Sequence, residues 1–253
     1  MLETLPEIWA LVIALALYLI GGMLKGAMGF GLPILAIPVM TVTHSLPVAL
    51  TVAIVPTVAT NIAQLWSFRA HRQIDFLPKF LGFGAIGLCF GAFTLSRVND
   101  AYVEISLGIM VLLYLTSALL PAAPRVGGKR SQAPAFGFLA GTVHGATGLS
   151  GLVGPPYMHA LKLDRPVFVF AAGSMFTLFS LMQAPVLFAF GLFEEEGLRI
   201  SFLVLPFAFV GLYLGGLIGA RMKSQSFSRA VLVVLALAAI MPIVNGVKGL
   251  IGG

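Results

Sequence analysis

Lys25 is the only charged residue in the run YLIGGMLKGAMGFGLPILAIPVM, Tyr18 to Met40. An ammonium set so deep in apolar sequence needs a counter-charge, and no carboxylate stands nearby in the chain to supply one. In the second half, the run AGTVHGATGLSGLVGPP, Ala140 to Pro156, carries His144 at the matching place. Imidazole can be neutral or charged near physiological pH. Each of these residues precedes a glycine-rich break, MGFGLP (Met28 to Pro33) in one half and GLSGLVGPP (Gly148 to Pro156) in the other. Glycine leaves the backbone open to close approach, and proline suits the first turn of a new helix, where its missing N–H costs nothing. A helix starting there presents free N–H groups and partial positive charge. A cation beside uncapped amides is chemistry for holding an anion.

Neutral polar side chains extend the pattern. Asn61 and Gln64 lie on one helical face, with Thr57 a turn earlier, and Ser180 and Gln183, with Thr177, repeat the arrangement in the second half. These faces are expected to line a cavity, with hydrogen bonding between helices as the competing reading. The expected substrate-binding residues are Lys25, Gly29, Gly31, Asn61, Gln64, His144, Ser150, Gly151, Gly154 and Gln183. Plainer roles compete with these. Lys25 would snorkel to an interface if the first segment crossed the membrane outright, and His144 would be a hydrogen-bonded packing residue. The other glycines around the breaks (Gly22, Gly26, Gly137, Gly141, Gly145 and Gly148), and the GxxxG pairs Gly87/Gly91, Gly211/Gly215 and Gly215/Gly219, read as helix contacts. His159, close to Lys162, is set aside. Catalytic chemistry finds no residues to carry it: HExxH, GxSxG and paired carboxylates within the apolar spans are all missing, so no catalytic residue, metal ligand or cofactor is expected.

The elements that position these residues must lie in a membrane. With 253 residues, 59% hydrophobic and 9% charged, and a mean hydropathy of +1.03, the chain holds more apolar surface than a soluble domain of this size could hide. Scarce charge argues against a nucleic-acid partner, and the lone Cys89, expected to pack within an apolar helix, excludes an internal disulfide. The N-terminal apolar stretch carries Glu3 and Glu7 where a secretory signal would be basic, so it reads as retained.

Full spans are expected at about 47–67, 77–95, 102–120, 166–190, 199–220 and 228–247. Two regions, about 8–43 and 135–163, are instead apolar runs broken by glycines and followed by a piece of only about a dozen residues. That piece rises roughly 18 Å, half a bilayer. The two regions open the halves of an internal repeat. A shift of 119 positions places Gly22, Gly26, Ala27 and Gly29 on Gly141, Gly145, Ala146 and Gly148, and Gln64 on Gln183. A shift of 124 places Gly87, Leu88, Gly91 and Arg97 on Gly211, Leu212, Gly215 and Arg221. The first repeat is thus 1–120, the second 135–253, and a basic linker at 121–134 joins them.

Loop charge sets their relation. The loop with Arg69, Arg72 and Lys79 corresponds to one with Glu194, Glu195 and Glu196, and the next pair reverses, Arg97 with Asp100 and Glu104 against Arg221, Lys223 and Arg229. Opposite bias at equivalent loops predicts inverted repeats under the positive-inside rule. The expected fold is all-α and membrane-embedded: two inverted repeats, each a re-entrant broken-helix hairpin plus three transmembrane helices. With both termini extracytoplasmic, Arg69, Arg72, Lys79, Arg125, Lys129, Arg130, Lys162, Arg165, Arg221, Lys223 and Arg229 face the cytoplasm, and only Arg97, Arg199 and Lys248 lie outside.

The paired segments GGMLKGAMGFGLPILAIPVM and GFLAGTVHGATGLSGLVGPPYMHAL resemble the sulfite exporter TauE/SafE family, a likeness that covers the whole chain. The resemblance implies a bacterial-type inner-membrane permease for sulfite, sulfoacetate or related organosulfonates. The residues themselves point to a secondary transporter for a small anion, working by alternating access between the hairpins. A passive anion channel, or a membrane-embedded enzyme, is the alternative. The expected partners are the anion and the lipid bilayer, with room left for a homodimer.

Overall fold

The computed structural model describes residues 4–41, 43–99, 102, 105, 106, 108–112, 116, 128–219, 243, 244 and 247, and every regular element among them is helical. The elements that position the site are α1 (Thr4–Met28), α2 (Leu32–Met40), α3 (Leu46–Ser67), α4 (Leu77–Leu95), α5 (Ala133–Thr147), α6 (Gly154–Ala160), α7 (Arg165–Ala189) and α8 (Glu195–Gly219). Five stretches are long and apolar enough to cross a membrane: Trp9–Met28, Leu46–Ser67, Leu77–Leu95, Arg165–Ala189 and Glu195–Leu217. The chain is an all-α, multi-pass membrane protein. Four of the expected spans coincide with α3, α4, α7 and α8. Those at 102–120 and 228–247 fall mostly outside the described residues, as do Arg125, Arg221, Lys223, Arg229 and Lys248.

The first apolar region holds a longer helix than its repeat partner. α1 has 25 residues and α5 has 15, roughly 38 Å against 22 Å at 1.5 Å per residue. Gly21, Gly22 and Gly26 do not interrupt α1. The chain breaks only at Gly29 and Gly31, which take φ of 89° and 124°, a left-handed conformation that glycine adopts without steric cost. Leu32 then comes back beside Gly21, so α2 folds back along α1. In the second half, Gly148 (φ 73°) ends α5, a 3₁₀ turn covers Ser150–Leu152, and α6 begins with Pro155 and Pro156 in its first turn. Both expected breaks are therefore present as interruptions of the helical ladder.

Glycine contacts set the register between helices. Gly22 of α1 faces Ala208, Gly211 and Leu212 of α8, and Gly26 faces Leu212, Gly215 and Gly216, so the two helices run in the same direction. Gly137, Gly141 and Gly145 of α5 meet Phe80, Gly84 and Leu88 of α4 in the same ascending order. In both pairs a methyl group at the glycine would collide with the facing backbone, so the absence of side chains lets the main chains touch. α3 lies between, running with α8, since Gly197 meets Val48 and Thr51 and Ser201 Oγ donates to Val52 O at 2.8 Å. It runs against α7, since Gly173 faces Asn61 and Leu65 while Glu194, just beyond the end of α7, donates its N–H to Thr51 Oγ1 near the start of α3 at 3.4 Å.

Contacts at one end tie the basic loops together. Arg130 pairs with Asp75 at 3.2 Å, Tyr157 Oη donates to Lys129 O at 3.2 Å, and Gly128 lies beside Ala160 O. The ion pair is exposed and adds little stability; its value here is positional. It sets the start of α4 beside the start of α5, and Gly128 sets the end of α6 there too. Large apolar side chains such as Ile86, Phe90, Phe188, Phe202 and Tyr213 are exposed, as suits helices whose outer solvent is lipid. Cys89, expected to pack inside, is exposed on α4 in the same way, because its neighbours Leu88, Gly91 and Ala92 take the buried face.

Candidate anion-binding site

Lys25 lies in the last turn of α1 and is 2% exposed. It does not snorkel. Its Nζ donates to Asn61 Oδ1 on α3, a residue that is itself fully buried. Asn61 Nδ2 donates to Thr57 O at 2.8 Å, one turn back along the same helix. The two bonds fix the amide, because one needs its oxygen and the other its nitrogen. An ammonium has three N–H donors, and among the described residues Lys25 uses one. Two remain for an oxyanion.

Gln64, one turn beyond Asn61, completes this cluster. Its Oε1 is buried without a hydrogen-bond partner, and its Nε2 lies 3.8 Å from where a Cβ on Gly29 would stand. The amide therefore sits over the break. Gly29 N donates to Lys25 O at 2.7 Å, closing α1, and Gly31 packs near Leu24 as the residue before α2. α2 has Pro33 in its first turn, no side-chain cap, and a buried first turn at Leu32 and Ile34. Helix-start amides with no acceptor inside the helix thus lie in the protein interior.

The second half repeats this plan with different groups. His144 Nδ1 lies 2.9 Å from Ser150 Oγ, so one donates to the other, and Gln183 Nε2 donates to His144 O at 3.4 Å. His144 Nε2 is buried without a partner, and the ring stands 5.5 Å from that of Phe179. Gly148 N closes α5 on His144 O at 2.7 Å, as Gly29 closes α1 on Lys25 O. Gly151 and Gly154 meet apolar neighbours: Ile34 and Phe176 stand against the first, Met175 and Phe80 against the second. Both are places where close packing requires the missing side chain.

Of the ten expected residues, Lys25, Gly29, Asn61 and Gln64 gather in one polar cluster and His144, Ser150 and Gln183 in another, whereas Gly31 packs near Leu24 and Gly151 and Gly154 pack among apolar side chains; no hydrogen bond joins the clusters among the described residues. The breaks themselves meet through apolar contacts, Ile34 and Ile37 of α2 against Gly151 and Gly148. An open cavity of about 570 Å³, lined by Ser67, Arg69, Ala70, Arg72 and Gln73, lies at the basic end of α3, near Gln64 in the chain. Arg69 is held there over the Trp66 ring, 4.7 Å from its centroid. Sequence reasoning passed over Tyr18, fully buried with an unpartnered hydroxyl on α1. It stands seven residues before Lys25, on the same helical face, and that spacing was the available signal. Val169 and Phe179 were missed too, and nothing in an apolar run marks which side chain will close on a given break.

No curated protein and no solved structure matches the chain. The family model described as sulfite exporter TauE/SafE matches residues 13–241, a stretch that includes both breaks and both polar clusters. The chain therefore belongs to the TauE/SafE family of membrane transporters.

Proposed function

We propose that the chain is a secondary transporter for a small anion, sulfite or an organosulfonate, and that it works by alternating access around a mid-membrane site between the two broken segments. The observation that carries this reading is Lys25: a buried cation at a helix break, held by a neutral amide, beside an uncapped helix start. Such a site replaces the hydration shell of an anion with an ammonium, backbone N–H groups and the Gln64 amide. His144, Ser150 and Gln183 form the opposing wall, which reaches the substrate when the apolar contacts between the breaks part.

Helix directions support inverted halves. With the basic end in the cytoplasm, α1, α3 and α8 run inward and α4, α5 and α7 outward. The sequence-equivalent pairs α1/α5, α3/α7 and α4/α8 then oppose each other. Re-entry of the second hairpin is supported by Gly128 beside Ala160, which sets the start of α5 near the end of α6. The tightly apposed pairs α1/α8 and α4/α5 serve as the rigid units that rock, and the family match supports an inner-membrane location.

The test is counterflow in proteoliposomes with labelled sulfite and an organosulfonate. Saturable uptake, accelerated by the same anion on the far side and lowered at least about tenfold by Lys25→Ala, is the expected result. Linear, unsaturated flux would mean a channel and would overturn the carrier.

A further inference from the structure

Lys25 is the only buried side chain with a formal charge among the described residues. Among the residues whose side chains are described, the carboxylates Asp75, Asp164, Glu194, Glu195 and Glu196 are all exposed. Its hydrogen-bond partner Asn61 is neutral and so is Gln64, and the helix start that completes the cluster adds amide dipoles but no full charge. We infer that the site built from Lys25, Asn61 and Gln64 is matched in charge to a singly charged oxyanion and rejects dianions of the same shape. This rests on the transport reading above and adds to it the charge state of the substrate.

The argument is one of charge balance in a place without water. A single negative charge makes the buried ammonium and its ligand a neutral unit, the least costly form in a low-dielectric interior. A second negative charge would have to shed its hydration with only amide dipoles to replace it. Geometry agrees with the count. Two free N–H bonds of Lys25 serve two oxygens of one head group, and Asn61 has no donor aimed outward for more, since its nitrogen is held by Thr57 O. Gln64, with no hydrogen bond to hold it, turns its amide toward whatever the ligand offers. It gives N–H to a bare oxygen, or takes O–H from a protonated one through the Oε1 that has no other partner. On this reading the sulfite species carried is hydrogensulfite rather than the dianion, and the loaded site crosses its occluded stage electrically neutral.

Three compounds with the same tetrahedral sulfur separate charge from shape: dimethyl sulfone is uncharged, methanesulfonate carries one negative charge and sulfate two. Titration calorimetry on the purified full-length protein should show methanesulfonate binding at least about tenfold more tightly than either of the others. Lys25→Gln should remove that preference, and Asn61→Asp, which supplies the counter-charge internally, should weaken methanesulfonate by a similar factor. Sulfate binding as tightly as methanesulfonate to the unmodified protein overturns the charge inference whatever the variants do, and saturable counterflow persisting beside that result leaves transport standing. Loss of both binding and counterflow for every anion overturns the transport reading as well.

Discussion

At the residue scale the proposed site rests on Lys25 and the amide that holds it. Asn61 acts as a positioning residue: it accepts from Lys25 and is locked in turn by Thr57 O. Replacing it with Leu leaves the ammonium without its protein partner, and a lost hydrogen bond to a charged group costs about 1.5–3 kcal/mol. Asn61→Leu should therefore lower the unfolding midpoint of the purified protein and weaken anion binding together. Gln64→Leu breaks no side-chain hydrogen bond among the described residues, where Oε1 has no partner, so it should leave the unfolding midpoint nearly unchanged while anion affinity falls. Equal losses of stability in the two variants would show that Gln64 is a structural residue. The sequence made Lys25, Asn61 and Gln64 legible as rare polar groups in apolar runs. It did not show that Lys25 and Asn61 bond to each other, because 36 residues separate them and only packing brings α1 against α3.

At the scale of elements, glycine does two jobs that look alike in a sequence. Inside α1, α4, α5 and α8 it lets backbones touch; at 29 and 148 it takes a positive φ and ends a helix, and at 31 a positive φ leads into the next one. The contrast within α4 is testable. A Cβ on Gly87 would strike the Phe138 carbonyl of α5, whereas one on Gly82 meets nothing within 4 Å. Gly87→Ala should destabilise the protein by about 1–3 kcal/mol through forced separation of the helices, while Gly82→Ala should be neutral or gain up to about 1 kcal/mol of helix propensity. Thermal unfolding in detergent distinguishes the two, and equal behaviour would refute the α4/α5 contact. The positions of both breaks were readable from glycine followed by proline. The length of α1 was not, because the apolar run before the break suits a re-entrant arm and a full crossing alike, and Gly22 and Gly26 gain their partner only when α8 packs on them.

At the scale of the whole molecule, the pairing of α1 with α8 and of α5 with α4 joins helices from the first and second halves of the chain, so neither half packs without the other. Inverted halves make a prediction about sidedness. In a protein with Cys89→Ser, single cysteines in place of Arg72 and Glu195 should react with a membrane-impermeant maleimide from opposite faces of intact cells or oriented vesicles. Labelling of both from one face would end the inverted arrangement.

The sequence by itself determined that this chain lives in a bilayer, where its helices break and which few polar groups it keeps. Each of these follows from composition, periodicity or local backbone chemistry, which act within a few turns of chain. The tertiary structure alone decided that Lys25 is buried rather than snorkelling, that Asn61 holds it, that the clusters around Lys25 and His144 meet through apolar side chains, and that α1 stays whole. Those outcomes depend on which distant helix fills the space beside each residue, and no local pattern encodes that.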